Sequence, residues 1–481
     1  MNFIIFMPDE MQAEAAGCYG HPTVRTPNLD RLAAEGTRFE QCYIQHPVCS
    51  PSRCSLFTGW YPHTAGHRTL WYLLRPHEPN MFRYLKQAGY DVRWYGKNDL
   101  LAEESFPGSV TEAVSPDRPN HGPLVRNGPE DKWFDTFLGE AVPGGPEATG
   151  DYQSVQRGID FLRGRPEGPF VLYLPLLFPH PIYGAPEPYH SMYRPEDVPD
   201  LRPPEPAGKP CFYEMIRRRR GLDRLDDADL RRIAAVYYGM CSYTDFLLGE
   251  VLKAVDEAGL GEDTTVLFTS DHGDWAGQYG LVEKWSNALD DTIARVPLVM
   301  RTPGGSAGHN VAEPVEHFDI MATLLELAGV EARHTHFARS LVPQLGGAPG
   351  DPRRAAFAEG GYGAHEPHCF EGKTSGDQAG RKPEHIYYQK GRLQQDHPES
   401  VCRAFMVRTA THKLIYRYHD TCELYDMRAD PGELVNLHGN PAAAPAQREL
   451  YARLTEWLAR TSGVTPRDED PRGLPRGGFR E

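Results

Sequence analysis

Four apolar, β-rich runs in this chain each end on a polar residue that packing does not require. Phe3 to Met7 leads to Asp9, Val92 to Gly96 leads to Lys97, the run through 170–178 leads to His180, and Val266 to Thr269 leads to Asp271-His272. Two carboxylates, two imidazoles and an ammonium are the groups that hold a cation, bind an anion and move a proton. A sixth group stands apart. In His46-Pro47-Val48-Cys49-Ser50-Pro51-Ser52-Arg53, Ser50 suits a helix N-cap, Pro51 suits the first helical position, and Gly59 can end a short helix. Cys49 then lies at a helix N-terminus, where free N–H groups and the helix dipole favour an anion, a good place for a nucleophile.

The elements between these residues explain how they meet. Helix-like stretches separate the apolar runs, among them 26–36, with a cap region before it and a Gly stop, and 234–258, with apolar residues at helical spacing. Continuous apolar strands alternating with helices predict an α/β fold: a large, mostly parallel sheet sandwiched by helices. In such sheets ligands gather outside the carboxyl ends of the strands, so Asp9, Lys97, His180 and Asp271-His272 are expected on one rim.

The segment Cys49-Ser50-Pro51-Ser52-Arg53, extended to Leu56-Phe57-Thr58-Gly59, resembles the C-x-P-S-R…L-x-T-G signature of the type I sulfatases, within the alkaline-phosphatase-like superfamily. Further landmarks follow over nearly the whole chain. Asp9 heads a segment similar to the first metal motif, Gly96-Lys97 resembles the sulfate-binding lysine segment, and Pro179-His180-Pro181 resembles the active-site His segment. Thr269-Ser270-Asp271-His272-Gly273 resembles the second metal motif, and Lys284 stands at the place of the second lysine. Glu423-Leu424-Tyr425-Asp426 and Glu433-Leu434-Val435-Asn436-Leu437 look like the terminal segment.

The resemblance implies that Cys49 is converted to formylglycine by a formylglycine-generating enzyme, that its hydrate supplies the attacking oxygen, and that Arg53 holds the modified residue. Asp9, Asp271, His272 and an oxygen of modified Cys49 are expected to hold a divalent cation, Ca²⁺ first, with Mg²⁺ or Mn²⁺ as alternatives. Lys97 and Lys284 are expected to clamp the anion, with His180 and Lys284 protonating the departing alcohol oxygen. The expected reaction is hydrolysis of a small-molecule or saccharide sulfate ester to alcohol and inorganic sulfate.

Two positions depart from the pattern. Glu10 stands where many sulfatases carry a second Asp ligand and is left out of the metal set, and Asp99 replaces a histidine that contacts sulfate in many relatives. An ionised Asp beside an anionic transition state repels it. That keeps a second reading open, a phosphonate monoester or phosphodiester hydrolase of the same family. A third is a non-catalytic binding protein on this scaffold, which predicts an unmodified Cys49.

At 481 residues, the chain exceeds the usual single-domain size. The expected division is a catalytic domain over 1–365, a smaller α+β domain over 366–464 with strands near 404–408 and 413–417 and a helix near 447–461, and a loose tail over 465–481. The net charge of −15 excludes a general nucleic-acid binder, and the run Arg217-Arg218-Arg219-Arg220, closely followed by acids, reads as a solvated helix face. Nine scattered cysteines without C-x-x-C spacing suggest neither a disulfide framework nor structural zinc. No apolar run approaches the length of a membrane span, and no charged n-region precedes an apolar h-region, so the expected location is the cytoplasm, with a homo-oligomer compatible. Substrate identity is expected to lie in 63–78, 183–213 and 360–399, the last holding His365, His368 and His385.

Overall fold

The computed structural model describes residues 1–464 except 127, 129, 205 and 372–381. The expected tail at 465–481 lies outside the described residues.

Nine strands form the large sheet: β1 (Asn2–Met7), β2 (Thr37–Tyr43), β3 (Asp91–Tyr95), β4 (Glu112–Val114), β5 (Phe170–Pro175), β6 (Thr264–Thr269), β7 (Arg295–Arg301), β8 (His309–Val311) and β9 (Val315–Glu316). Their order is β4-β3-β5-β1-β6-β7-β2-β8, with β9 also on β2. The pairings β3 to β4, β3 to β5, β1 to β5 and β1 to β6 are all parallel, whereas β7 runs antiparallel to both β6 and β2. Strands β1, β3, β5, β6 and β2 therefore point the same way. The register aligns their ends: Met7 lies beside Pro175, Phe6 beside Phe268, and Trp94 beside Tyr173.

Alternation along β1 divides the core. Ile4 and Phe6 join one apolar cluster with Leu172, Leu174, Val266 and Phe268, packed under the helices Gly150–Arg163 and Asp227–Ala258. Phe3, Ile5 and Met7 join the opposite cluster with Tyr173, Leu56, Phe57, Phe82 and Leu324. Both sheet faces are covered, which is why these strands read as unbroken apolar runs. The long helix starts earlier than its apolar periodicity suggests, because Asp226 and Asp229 form a reciprocal capping box at its first turn.

The arginine run is dispersed rather than assembled into a patch. Arg217 is buried, Arg218 pairs with Glu214, Arg219 reaches Asp396 at 3.2 Å, and Arg220 donates to the Asp135 carbonyl at 2.6 Å over the Phe137 ring. No helix among the described residues is long and apolar enough to cross a membrane.

The smaller unit is a four-stranded antiparallel sheet of β10 (Ala356–Gly360), β11 (Ala404–Arg408), β12 (His412–Arg417) and β13 (Glu423–Asp426). The helix Ala444–Thr461 covers it through Leu450, Leu454 and Trp457, which meet Val407, Leu414 and Leu424. Strand β10 pairs with β11 from Ala356↔Arg408 to Gly360↔Ala404, which puts residues 356–360 in the antiparallel sheet of the smaller unit.

Candidate active site

Apart from Arg53, inside a helix, and Lys284, in a loop, the predicted residues follow strand ends on the same sheet edge. Asp9 and Glu10 follow β1, Lys97 and Asp99 follow β3, His180 follows β5, and Asp271 and His272 follow β6. Cys49 follows β2 and opens the helix Cys49–Thr58, every residue of which is buried. That helix begins earlier than expected: the Val48 carbonyl accepts the Ser52 N–H at 3.0 Å, so Val48 and not Ser50 is the cap. Cys49 keeps its place in the first turn, where N–H groups lack intrahelical partners.

Arg53 organises the centre from beneath. Its Nε donates to Asp271 Oδ2 at 2.8 Å and its Nη2 to Asp9 Oδ2 at 3.0 Å, all three side chains being fully buried. The other oxygen of each carboxylate is left toward the cluster. Cys49 Sγ is 3.1 Å from His272 Nε2 and 3.6 Å from Asp9 Oδ1, and His272 Nε2 lies 3.7 Å from Asp9 Oδ1 and 3.9 Å from Asp271 Oδ1. His272 Nδ1 meets the Gly273 carbonyl at 2.9 Å, which fixes the proton there and turns the Nε2 lone pair inward, as a metal-ligating histidine requires.

Donor atoms of Asp9, Cys49, Asp271 and His272 all lie within 4.8 Å of one another. Their spacing and orientation fit one cation, with the Cys49 Sγ standing in for the oxygen that a modified residue 49 presents. As encoded, residue 49 is a poor nucleophile. Burial first, then the Asp9 carboxylate, push its thiol well above the ordinary range, so it is a thiol and not a thiolate.

Two lysines flank this centre. Lys97 Nζ lies 2.5 Å from Asp9 Oδ2 and 2.8 Å from Asp99 Oδ2. Lys284 Nζ lies 2.9 Å from Glu10 Oε1, 3.1 Å from Glu283 Oε1 and 3.3 Å from His180 Nε2. Burial disfavours both ammonium ions, but the surrounding acids outweigh it and hold both pKa values well above the usual lysine range. His180 moves the other way, well below the histidine range, through burial and then Lys284 and Lys97. Its Nδ1 meets the Pro181 carbonyl at 2.6 Å, so the neutral ring carries its proton there and offers Nε2 as an acceptor to Lys284. His180 and Lys284, the two groups expected to face the departing oxygen, thus meet in one 3.3 Å contact.

The loops that carry these groups are held by acids that sequence reasoning did not single out. Asp151 accepts the N–H groups of Leu177 and Phe178 at 2.8 Å each, fixing the approach to His180. Asp274 Oδ1 accepts Tyr183 Oη–H at 2.7 Å and the Glu283 N–H at 3.1 Å, fixing the loop before Lys284. Past Lys284, Trp285 Nε1 donates to the Ser400 carbonyl at 2.7 Å and Asn287 Nδ2 to the Cys402 carbonyl at 2.8 Å, tying the loop to the smaller unit.

A cleft of about 330 Å³ opens above Cys49, walled by Leu70, Trp71, His385 and Tyr387, with Lys97, Lys284 and Lys390 facing Asp99, Glu283 and Glu371. Lys390 bridges Glu283 at 2.9 Å and Glu371 at 3.4 Å. Two of the three segments expected to carry substrate identity, 63–78 and 360–399, supply lining residues, and 183–213 supplies none among the described residues. His385 lines this cleft, whereas His365 lines a different one beside Tyr362, Tyr416 and Tyr418.

A mixed, mostly parallel sheet with buried acids, an imidazole and two lysines gathered at its carboxyl edge is the alkaline-phosphatase-like fold. The sulfatase family model matches residues 1–330, and the model for the C-terminal part of N-sulphoglucosamine sulphohydrolase matches 362–460. This chain belongs to the sulfatase family. It is 28% identical over 503 residues to the multifunctional alkaline phosphatase superfamily protein PehA of Trinickia caryophylli, covering 94% of this chain and 92% of that one. Among solved structures it is similar in fold to the phosphonate monoester hydrolase of Agrobacterium radiobacter, with a TM-score of 0.78, 22% identity and 96% of each chain covered. It is likewise similar to a protein solved with its substrate D-glucosamine-2-N,6-O-disulfate, with a TM-score of 0.71, 21% identity, and 98% and 99% covered.

Proposed function

We propose that this protein hydrolyses a small-molecule or saccharide sulfate ester to alcohol and inorganic sulfate, using formylglycine at position 49 and a divalent cation. The observation that carries this reading is the position of Cys49 Sγ, 3.1 Å from His272 Nε2 at the floor of a cleft that Lys97 and Lys284 both line. The hydrated aldehyde supplies an attacking oxygen and a second hydroxyl whose deprotonation releases sulfate. Its formation requires a formylglycine-generating enzyme.

Asp9, Asp271 and His272, with an oxygen of residue 49, would hold the cation, which polarises the ester and favours the ionised nucleophile. Mostly oxygen donors favour Ca²⁺, and the single imidazole makes Mn²⁺ its competitor. Arg53 keeps the two carboxylates aimed at that position. Lys97 holds a non-bridging oxygen of the ester, and Lys284 donates an N–H to the alcohol oxygen as its bond to sulfur lengthens and the electron pair collects there. His180 orients that lysine through Nε2. Trp71, Tyr387 and His385 wall the side on which the alcohol sits.

A second reading, hydrolysis of phosphonate monoesters or phosphodiesters, is favoured by Asp99. Its contact with Lys97 weakens one arm of the sulfate clamp. Turnover of an aryl sulfate against an aryl phosphonate monoester, with Cys49→Ala as control, tests the assignment. Preference for the sulfate and loss of turnover in the variant are expected; preference for the phosphonate selects the second reading, and undiminished turnover in Cys49→Ala refutes both.

A further inference from the structure

Glu10 is the acid at the site for which the chemistry above has no use, and its placement is unusual. Its backbone is left-handed, with φ of 67°, a conformation that costs a non-glycine residue about 1 kcal/mol or more and that clusters at functional sites. The main chain is held there from both sides. The Glu10 N–H donates to Asp271 Oδ1 at 3.2 Å, and its carbonyl accepts Tyr237 Oη–H at 2.7 Å, while Tyr237 Oη accepts the Gln12 N–H at 2.9 Å.

This twist separates two neighbouring acids. Asp9 faces Cys49, Arg53 and Lys97; Glu10 faces the opposite wall, with Oε1 2.9 Å from Lys284 Nζ and Oε2 3.3 Å from His180 Nε2. The Glu10 side chain is fully buried, so no water competes for these contacts. Asp9, Glu10 and His180 have donor atoms close enough for a second cation, but the Lys284 ammonium already stands against two of the three.

We propose that Glu10 is a positioning residue for the leaving-group side of the reaction: it fixes the Lys284 ammonium against His180 and takes no part in holding the divalent ion. The proposal rests on the reading of Lys284 as the group that faces the departing oxygen. Glu10 at 2.9 Å and Glu283 at 3.1 Å grip the ammonium from two directions, and His180 Nε2 takes the third N–H at 3.3 Å, the longest of the three contacts and the one a departing oxygen can share. The stabilisation so gained matters in proportion to the charge that collects on the leaving oxygen. Poor leaving groups need it and good ones do not.

The test uses the mature, metal-loaded full chain and compares wild type, Glu10→Gln and Glu10→Asp on 4-nitrophenyl and unsubstituted phenyl esters of whichever class turns over, with metal per chain measured in parallel. Glu10→Gln keeps the shape and replaces the carboxyl group by an amide. It is expected to lower kcat on the phenyl ester about 10- to 100-fold and on the nitrophenyl ester less than about 3-fold, with KM little changed and metal content equal to wild type. Glu10→Asp, which keeps the carboxyl group but shortens the reach, is expected to fall between. Equal losses on both esters, or loss of metal from Glu10→Gln, would overturn the proposal. If wild type turns over no ester, or Cys49→Ala turns over both, the functional reading itself fails and this proposal with it.

Discussion

Asp99 Oδ2 lies 2.8 Å from Lys97 Nζ, so this lysine of the cleft is shared between two carboxylates, with Asp9 at 2.5 Å on its other side. The Lys97 and Asp99 side chains are both about one-fifth exposed, at 23% and 22%, so the pair is screened only in part. Asp99→Asn should therefore tighten anion binding: KM for an aryl sulfate should fall about 3- to 10-fold, an effect of about 1 kcal/mol. The gain should be larger for a dianionic aryl phosphate than for the monoanionic sulfate. Steady-state kinetics on both esters check this, and an unchanged KM on both would mean that Asp99 does not set the charge of the site.

Arg53, fully buried, bridges Asp9 Oδ2 and Asp271 Oδ2, and removing it leaves two buried acids facing each other. Breaking a buried pair from one side costs about 3–5 kcal/mol. Calorimetry on Arg53→Ala should show a clear fall in Tm, with Arg53→Lys, which keeps the charge but loses the two-pronged contact, falling less. An unshifted Tm in Arg53→Ala would contradict the role given to the guanidinium.

Chelation should destabilise the protein reversibly. Asp9 and Asp271 converge on the same point with Cys49 and His272, and a cation that binds only the folded chain stabilises it by mass action. Incubation with a chelator should lower Tm, re-addition of Ca²⁺ or Mn²⁺ should restore it, and elemental analysis should find about one divalent ion per chain. Asp271→Asn should bind the ion more weakly and show a smaller response to chelator.

Acid tolerance should depend on Glu14, remote from the cleft. Burial raises its carboxyl, but Arg202, in contact at 2.8 and 2.9 Å, and Arg295 at 3.2 Å outweigh that and bring its pKa from 4.5 to about 2. A folded pKa below the unfolded one means stability that is complete above about pH 4.5 and lost as the pH falls toward 2. The ceiling is about 3 kcal/mol at 1.36 kcal/mol per unit, reduced by solvent because the side chain is 28% exposed. Glu14→Gln should accordingly lower Tm near neutral pH and show a shallower loss of Tm between pH 5 and pH 3 than wild type. Parallel Tm profiles would contradict it.

The strand-end residues were legible because parallel strands buried on both faces leave unbroken apolar runs, and a polar residue closing such a run stands out. Asp9, Lys97, His180 and Asp271 to His272 all fall where that reasoning places them. Lys284 follows no such run. Its loop carries left-handed backbone at Ala276, Tyr279 and Glu283, is fixed by Tyr183 and Asp274 and is pinned to Ser400, so its position depends on contacts distant in sequence. Family resemblance alone marked it. The direction of Glu10 was hidden for a related reason: one backbone angle decides whether two consecutive acids serve the same ion or opposite walls. Glu371, His385, Tyr387 and Lys390 reach the cleft from beyond the large sheet, and no local pattern announces that. The edge strand β10 went unread because its partner β11 lies more than forty residues onward, across a loop.

The central claim is that Cys49 is the precursor of the nucleophile. Protein produced together with a formylglycine-generating enzyme, digested and analysed by mass spectrometry over the peptide spanning His46 to Arg53, tests it most directly. The account predicts a peptide in which the Cys49 thiol-bearing carbon has become an aldehyde and which captures a hydrazide or aminooxy probe. A peptide that retains cysteine, in a preparation that nonetheless turns over its ester, would contradict it.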